Sequence, residues 1–213
     1  MAAIPAEMVK RLRDETGAGM MDSKRALVES GADFEKAKDW LRAKGLASAA
    51  AKAGRATREG VVHAYVHSSG GIAKAGALVE VDCESDFVAK TDDFKHLAHL
   101  LALQVVGASP QYVRREDVPP EIVEREKGVY REQVKGKPEQ VIEKILVGKL
   151  NDFYSKVCLI EQPWIKDDKK KVEELIKEAV AKLGENITVA RFARFAVGEA
   201  PAKTDGAGAP SPE

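Results

Sequence analysis

The sequence predicts an α+β protein, in which a bundle of short helices precedes a core of a small antiparallel sheet, packed helices and a helical hairpin. Apolar residues recur at helical spacing along most of the chain. Two runs of alternating apolar residues, 60–67 and 72–81, flank a Ser-Ser-Gly-Gly turn and indicate a β-hairpin. A third alternating run occupies residues 187–197. Because the strands are few, the helices should pack on the sheet.

The first 55 residues are predicted to form three short helices. Apolar residues share one face of a helix over residues 4–15, and a Thr-Gly-Ala-Gly break separates it from a second helix. Asp33 is a suitable N-cap for a third helix, which Gly45 should end. The basic, alanine-rich stretch 47–58 would then connect the bundle of residues 1–55 to the core.

The core is predicted over residues 56–198. After the β-hairpin, a helix should run from Asp86 to about Val106. Two further helices form the predicted helical hairpin, and Pro119 and Pro120 are placed to open the first of them.

The last part of the core should alternate between strands and a helix. Residues 157–160 indicate a short apolar strand, and residues 169–183 carry a clear amphipathic helix. Arg191 interrupts the alternation of the final strand, which indicates a bulge or a sheet edge. Residues 199–213 consist largely of Ala, Pro, Gly, Ser and Lys, so we expect a disordered tail.

The composition is that of a globular protein, with 44% hydrophobic and 32% charged residues. Lys and Arg together number 34, as do Asp and Glu. No net charge therefore draws the chain to nucleic acid or to an anionic membrane, and we expect neither as a direct partner. The N-terminus lacks the pattern of a signal peptide, and no apolar run approaches the roughly 20 residues that span a bilayer. We expect a cytoplasmic protein.

Motifs for nucleotide or metal binding are weak in this chain. The glycines of residues 70–76 lack the Lys-Ser/Thr pair that completes a phosphate loop. His63 and His67 would lie roughly 13 Å apart on a strand. His96 and His99 have helical spacing, but no further ligand accompanies them in the sequence. We expect no cofactor and no metal.

The two cysteines are predicted to be buried, reduced thiols. Cys83 and Cys158 are far apart in the sequence and form no CxxC spacing. A hydrolase with Cys83 as its nucleophile is the remotest alternative, because no base is indicated beside it.

Two features suggest contact surfaces, and the residue pattern leaves each of them open. Met20 and Met21 follow a glycine-flanked break, and flexible methionines suit either a gap in a core or a binding surface. Asp86 and Phe87 lie between a strand and a helix, where rigid flanking elements could present them outward. Alternatively, Asp86 caps the helix and Phe87 joins its apolar stripe, and the pattern by itself favours this second interpretation.

Two longer motifs resemble a known family. Residues 12–27, LRDETGAGMMDSKRAL, and residues 80–90, EVDCESDFVAK, are similar to the two signatures of the translation elongation factor Ts family. The sequence departs from the usual pattern at Asp82, where asparagine is common, and at Ser85, where threonine is usual. Serine keeps the hydroxyl group of the turn.

The resemblance implies a function in guanine-nucleotide exchange. The family promotes GDP release from the elongation GTPase Tu, without bond-making chemistry and without a cofactor. It implies a ubiquitin-associated-like bundle that docks on the GTPase, with contacts at or near Lys10, Met20, Met21 and Lys24. It also implies that the Mg²⁺ and phosphate site is disturbed by Ser85, Asp86, Phe87 and Val88.

The resemblance also bears on assembly. The chain is similar to the short form of the family, which lacks a second core half and an inserted coiled coil and works as a homodimer. The alternative function is a protein-binding adaptor, in which the N-terminal bundle captures a partner and the core only supports it.

Overall fold

A computed structural model describes residues 4–199 of the protein. The predicted disordered tail lies outside the described residues, apart from Glu199. The chain forms the following elements in order: α1 (Ala6–Thr16), α2 (Met20–Glu29), α3 (Phe34–Lys52), β1 (Glu59–Ser69), β2 (Ile72–Cys83), α4 (Asp86–Ala89), α5 (Asp92–Ala108), α6 (Pro120–Gln133), α7 (Glu139–Val157), β3 (Pro163–Trp164), β4 (Asp167–Lys171), α8 (Val172–Leu183) and β5 (Ile187–Ala196). The predicted α+β class is confirmed.

Helices α1 to α3 enclose a small core of their own, formed by Val9, Leu12, Ala26, Leu27, Ala37 and Leu41. The predicted cap of α3 is confirmed, because the Asp33 carboxylate accepts a hydrogen bond from the Lys36 amide at 3.1 Å. Such a cap satisfies one of the amides that a helix start leaves without a partner.

The predicted end of α3 at Gly45 is wrong, since the helix continues to Lys52. A Cβ atom at Gly45 would lie 3.2 Å from the Cβ of Ala181. The glycine therefore allows α3 and α8 to approach closely. Ala49, one turn further along α3, is buried in the main core.

The main sheet has the strand order β1-β2-β5 and is antiparallel throughout. Val61, Val81 and Val189 lie opposite one another across it. The register between β2 and β5 shifts so that Ala190 has no partner, directly beside Arg191. The predicted irregularity of the last strand is therefore confirmed, on an edge strand that also carries a bulge.

The main core lies between the inner face of the sheet, α5 and α8. Phe94, Leu101 and Val105 of α5 are fully buried, as are Val79 and Val81 of β2. Helix α5 is buried along most of its length because it passes directly beneath β1 and β2. The C-terminal end of β2 is thereby held on one side by a helix and on both edges by strands.

Three other boundaries differ from the predictions. The helix expected from Asp86 to Val106 is interrupted after Ala89. Thr91 causes the break, because its hydroxyl donates to the Val88 carbonyl at 2.8 Å and accepts from the Phe94 amide at 3.3 Å. The strand predicted at 157–160 is wrong, since Val157 ends α7 and a short 3₁₀ turn follows. The helix predicted from residue 169 begins later because residues 167–171 pair with β3 instead.

Candidate functional site

The turn between β2 and α4 carries the predicted site residues of the core. Ser85 has extended backbone angles, and its hydroxyl accepts a hydrogen bond from the Val88 amide at 3.4 Å. Ser85 is therefore the N-cap of α4, and the alternative in which Asp86 caps this helix is wrong. The serine, which stands where threonine is usual in the resembling family, supplies the capping oxygen.

Phe87 is exposed to solvent over 81% of its surface. Its neighbours along the same short helix point the other way, since Val88 packs against the main core and Ala89 is buried in it. The alternative in which Phe87 joins the core is therefore wrong, and Phe94 occupies the buried aromatic position. The turn therefore presents a large aromatic side chain to solvent on a backbone that its buried neighbours anchor.

Asp86 projects beside Phe87 with about half of its side chain exposed, 47%. Its carboxylate pairs with Lys90 one turn later, at 2.5 Å. The hydrogen bond from Lys90 lowers the pKa of the Asp86 carboxyl group. The turn therefore presents an anionic group next to an apolar one at neutral pH.

The loop after α8 holds this turn through hydrogen bonds that no sequence pattern indicated. The Glu185 carboxylate accepts from the amides of Glu84 and Ser85, at 3.1 and 3.0 Å, and from the Ser85 hydroxyl at 2.5 Å. In return, the Glu84 carboxylate accepts from the Asn186 amide at 2.6 Å. Glu185 and Glu84 are about a hundred residues apart in the sequence, so only the folded topology brings them together.

Both cysteines are fully buried free thiols, as predicted. The Cys83 thiol donates to the Ser85 carbonyl at 3.2 Å, and burial raises the pKa of this thiol. Burial raises the pKa of the Cys158 thiol to about 12. A reactive cysteine needs exposure and a lowered pKa, so this environment is unfavourable for the alternative of a Cys83 nucleophile.

The predicted docking residues lie on the surface of the N-terminal bundle. Met20 and Met21 form the first turn of α2 and are 47% and 75% exposed. Met8, in contrast, packs against the core of the bundle. The alternative that places Met20 and Met21 in a core gap is therefore wrong. Lys10 and Lys24 are also exposed.

A cleft of about 430 Å³ lies between the bundle and α8. Charged residues of both signs line it, and Arg42 pairs with Glu174 across it. Neither the predicted docking residues nor the turn of residues 85–88 lines this cleft. The two predicted contact surfaces therefore lie outside this cleft.

The histidines that lie close together in the structure are not the pairs that their spacing in the sequence suggested. Nε2 of His63 on β1 lies 3.2 Å from Nδ1 of His99 on α5, while His96 is exposed. Burial, with a smaller contribution from His99, lowers the pKa of His63.

Within residues 4–199, no three His, Cys, Asp or Glu side chains are grouped so that they could hold a metal ion. Over the same range, no helix combines the length and the apolar character needed to cross a membrane.

Comparisons with known proteins show the family to which the chain belongs. The family model described as Elongation factor TS matches residues 48–199. A relative from Coprothermobacter proteolyticus, named elongation factor Ts, is 56% identical over 198 residues, which cover 92% of this chain and 99% of the relative. The protein of that name from Thermotoga neapolitana is 57% identical over 196 residues, 92% of this chain and 98% of the relative. The one from Myxococcus xanthus is 53% identical over 201 residues, 93% and 91% of the two chains.

A family model that covers most of the chain and relatives of this identity over nearly their full length lead to one conclusion. The chain belongs to the elongation factor Ts family, and it is a translation elongation factor.

Proposed function

We propose that the protein is a guanine-nucleotide exchange factor for the elongation GTPase Tu. It binds the GDP-bound GTPase, disturbs its Mg²⁺ and phosphate site, and promotes GDP release during translation elongation in the cytoplasm. The observation that carries this proposal is the exposed Phe87 on a turn whose neighbours are anchored in the core. Membership of the elongation factor Ts family supports it independently.

Exchange of this kind requires no bond-making residue and no cofactor. A partner that binds the nucleotide-free GTPase more tightly than the GDP-bound form must weaken GDP binding by the same factor. The work of the exchange factor is therefore to make contacts that the GDP-bound conformation cannot accommodate. A rigid, protruding side chain is suited to this task, since it cannot fold back to relieve the conflict.

In this mechanism Phe87 inserts between helices of the GTPase, and Asp86 helps to shift a segment that supports Mg²⁺. Loss of Mg²⁺ removes much of the positive charge that holds the diphosphate. Insertion of Phe87 transfers an exposed aromatic ring from water into a protein interior, and aromatic anchors of this type commonly contribute about 2 kcal/mol or more to an interface. Ser85 and Val88 hold the pair in place from either side.

The N-terminal bundle, residues 1–55, would dock on the GTPase through the exposed start of α2. Met20 and Met21 can adapt their shape to a partner because their side chains are unbranched and flexible. Lys10 and Lys24 extend the same contact with positive charge. The core over residues 56–198 then holds the turn of residues 85–88, which we call the exchange turn.

The outward face of the sheet supports a further part of the proposal, assembly as a homodimer through the core. We call this surface the outer sheet face; its members are Val62, Ala64, Val66, Leu78, Ala193 and Phe195. Cross-strand pairing places Ala64, Leu78 and Ala193 in one row. An antiparallel sheet that meets water usually has polar residues on that face, whereas these are apolar and exposed.

A second copy is a suitable occupant because the members of the outer sheet face are apolar and exposed, with the Arg191–Glu80 ion pair beside them. Two such faces can pack about 10 Å apart, as in a β-sandwich, around a two-fold axis. We expect sedimentation to give a dimer for the wild type, a monomer for Leu78→Lys, and a dimer for the control Val147→Lys on α7. A monomeric wild type at tens of micromolar, in the range typical of specific dimers, would overturn this part of the proposal.

The experiment that tests the exchange function is release of fluorescent GDP from the purified elongation GTPase Tu. We expect the rate to rise with the concentration of this protein and then to saturate. An adaptor, which is the alternative function, would form a complex through its bundle and leave the release rate unchanged. Complex formation without acceleration would therefore favour the adaptor.

A further inference from the structure

We propose that Glu185 is a positioning residue for nucleotide exchange, acting through the turn that carries Phe87. The inference rests on the proposed exchange function. We call Glu84, Glu185 and Asn186 the loop clamp, because they join the turn after β2 to the loop between α8 and β5.

One carboxylate group makes three contacts in the loop clamp. Glu185 Oε2 accepts from two consecutive amides, those of Glu84 and Ser85, and Oε1 accepts from the Ser85 hydroxyl. Two consecutive amides that point at one oxygen fix the direction in which the chain leaves β2. The orientation of the peptide before α4 is therefore set by a side chain from another part of the chain.

The opposite half of the loop clamp completes a closed arrangement. Glu84 Oε1 accepts from the Asn186 amide at 2.6 Å, and the Asn186 side chain donates to the Arg55 carbonyl at 2.8 Å. Asn186 is buried, with 4% of its surface exposed. The loop clamp thus connects the exchange turn both to the start of β5 and to the segment after α3.

Glu185 has no other evident role among the described residues. Over residues 4–199 no lysine, arginine or histidine lies within ion-pair distance of its carboxylate, whereas Glu84 faces Arg55 at 3.5 Å. All of the hydrogen bonds described for the Glu185 side chain go to Glu84 and Ser85. In the described part of the chain, the half-buried Glu185 carboxylate therefore makes its hydrogen bonds with the turn after β2 and none with the rest of its own loop between α8 and β5.

The path from Glu185 to Phe87 runs through Ser85. The Ser85 hydroxyl donates to Glu185 and accepts from the Val88 amide, so the same oxygen belongs to the loop clamp and to the cap of α4. Helix α4 has only four residues and is too short to be stable by itself. The direction of Phe87 therefore depends on the contacts that hold the start of this helix.

The test compares three replacements of Glu185 in the full-length chain by GDP release from the elongation GTPase. Glu185→Ala removes every acceptor. Glu185→Gln keeps an oxygen for both amides and offers its NH₂ group to the Ser85 oxygen. Glu185→Asp keeps the negative charge but withdraws it by one methylene, roughly 1.5 Å.

We expect Glu185→Ala to lower the saturated release rate about tenfold, less than the roughly 100-fold that a misplacement of about 1 Å can cost, because Val88 and Ala89 still hold the turn to the core. The concentration for half-maximal rate should change by less than about twofold, since docking through the bundle is intact. Glu185→Gln should remain close to the wild type and exceed Glu185→Asp. This order of release rates would show that the position of the acceptor oxygens matters more than the negative charge. The comparison of Glu185→Gln with Glu185→Asp remains valid even if Glu185→Ala does not fold.

The remaining outcomes distinguish failure of this inference from failure of the proposed exchange function. An active wild type with an equally active Glu185→Ala would overturn the inference, and so would a Glu185→Asp variant that is faster than Glu185→Gln. A wild type that does not accelerate release would overturn the proposed function itself. In that case amide hydrogen exchange still tests the loop clamp, since Glu185→Ala should lower the protection of the Glu84 and Ser85 amides and Glu185→Gln should not.

Discussion

The two surfaces that we propose to contact the GTPase are built in opposite ways. The turn around Phe87 is held by a capping serine, by the loop clamp and by Val88 and Ala89 in the core. The start of α2, in contrast, has Gly19 as its N-cap without a side-chain hydrogen bond, and it presents two methionines. One surface is stiff and the other adaptable. We infer that the stiff surface changes the conformation of the GTPase and the adaptable one supplies affinity.

The replacement Phe87→Ala should separate these roles most clearly. Loss of an aromatic anchor worth about 2 kcal/mol corresponds to a roughly 30-fold slower GDP release at saturation. The melting temperature should stay within about 2 °C of the wild type, because little contact inside the protein is lost. Val147→Ala, an exposed apolar residue on α7, is the control. Unchanged exchange by Phe87→Ala would contradict the mechanism.

The double replacement Met20→Ser, Met21→Ser should act on the other side of the comparison. We expect complex formation to weaken about tenfold, with the saturated release rate preserved, since only docking is lost. Titration of the GTPase with labelled protein measures the affinity. Val129→Ser provides a control of similar exposure on α6. A lower saturated rate at unchanged affinity would reverse the roles that we assign.

Asp86→Asn tests whether charge adds to shape at the exchange turn. The Lys90 contact keeps the Asp86 carboxyl group ionised, and the replacement removes the charge while keeping the volume. Release at saturation should slow by about threefold, because an exposed charge contributes less than a buried anchor. Lys90→Gln separates the ion pair from direct contact: if it slows release as much as Asp86→Asn, the carboxylate acts through Lys90.

The smallest effect is expected on stability, from the contact between His63 of β1 and His99 of α5. Burial lowers the pKa of His63 below its ordinary value of 6.5, so the unfolded chain binds this proton more tightly than the folded protein. The free energy of unfolding should therefore fall as pH drops below about 6.5 and recover above it. Melting temperatures at about pH 7.5 and 5.5 measure this difference, and His63→Gln should reduce it. An equal difference in both proteins would exclude His63 as the cause.

The sequence was sufficient for features that depend on neighbouring residues. The cap at Asp33, the hairpin of β1 and β2, and the irregularity beside Arg191 all follow from local spacing. The helix boundary at Thr91 was missed although Thr91 is a suitable cap, because the apolar stripe on both sides suggested one continuous helix. Sequence patterns predict a helix boundary least well where two of them, here a capping residue and an apolar stripe, indicate different structures.

Features that depend on distant residues were not predictable. Gly45 resembles a helix end until α8 is placed beside it. Glu185 and Glu84 become partners only when β2 and β5 pair, and His63 meets His99 only when α5 crosses β1. The outward direction of Phe87 was ambiguous for a local reason instead, since its spacing from Phe94 fits an apolar stripe that Thr91 interrupts.

The uninterrupted α3 has a mechanical consequence. Its 19 residues form a rod of roughly 28 Å that begins within the N-terminal bundle and ends near the loop clamp, where the Asn186 side chain donates to the Ala53 carbonyl at 3.4 Å. Because α3 continues through Gly45 without a break, we infer that its length sets the distance between the N-terminal bundle and the loop clamp. The missing Cβ at Gly45 sets how closely that rod lies against α8. A methyl group added at Gly45 would require Ala181 and the facing segment of α8 to give way by a few tenths of an ångström.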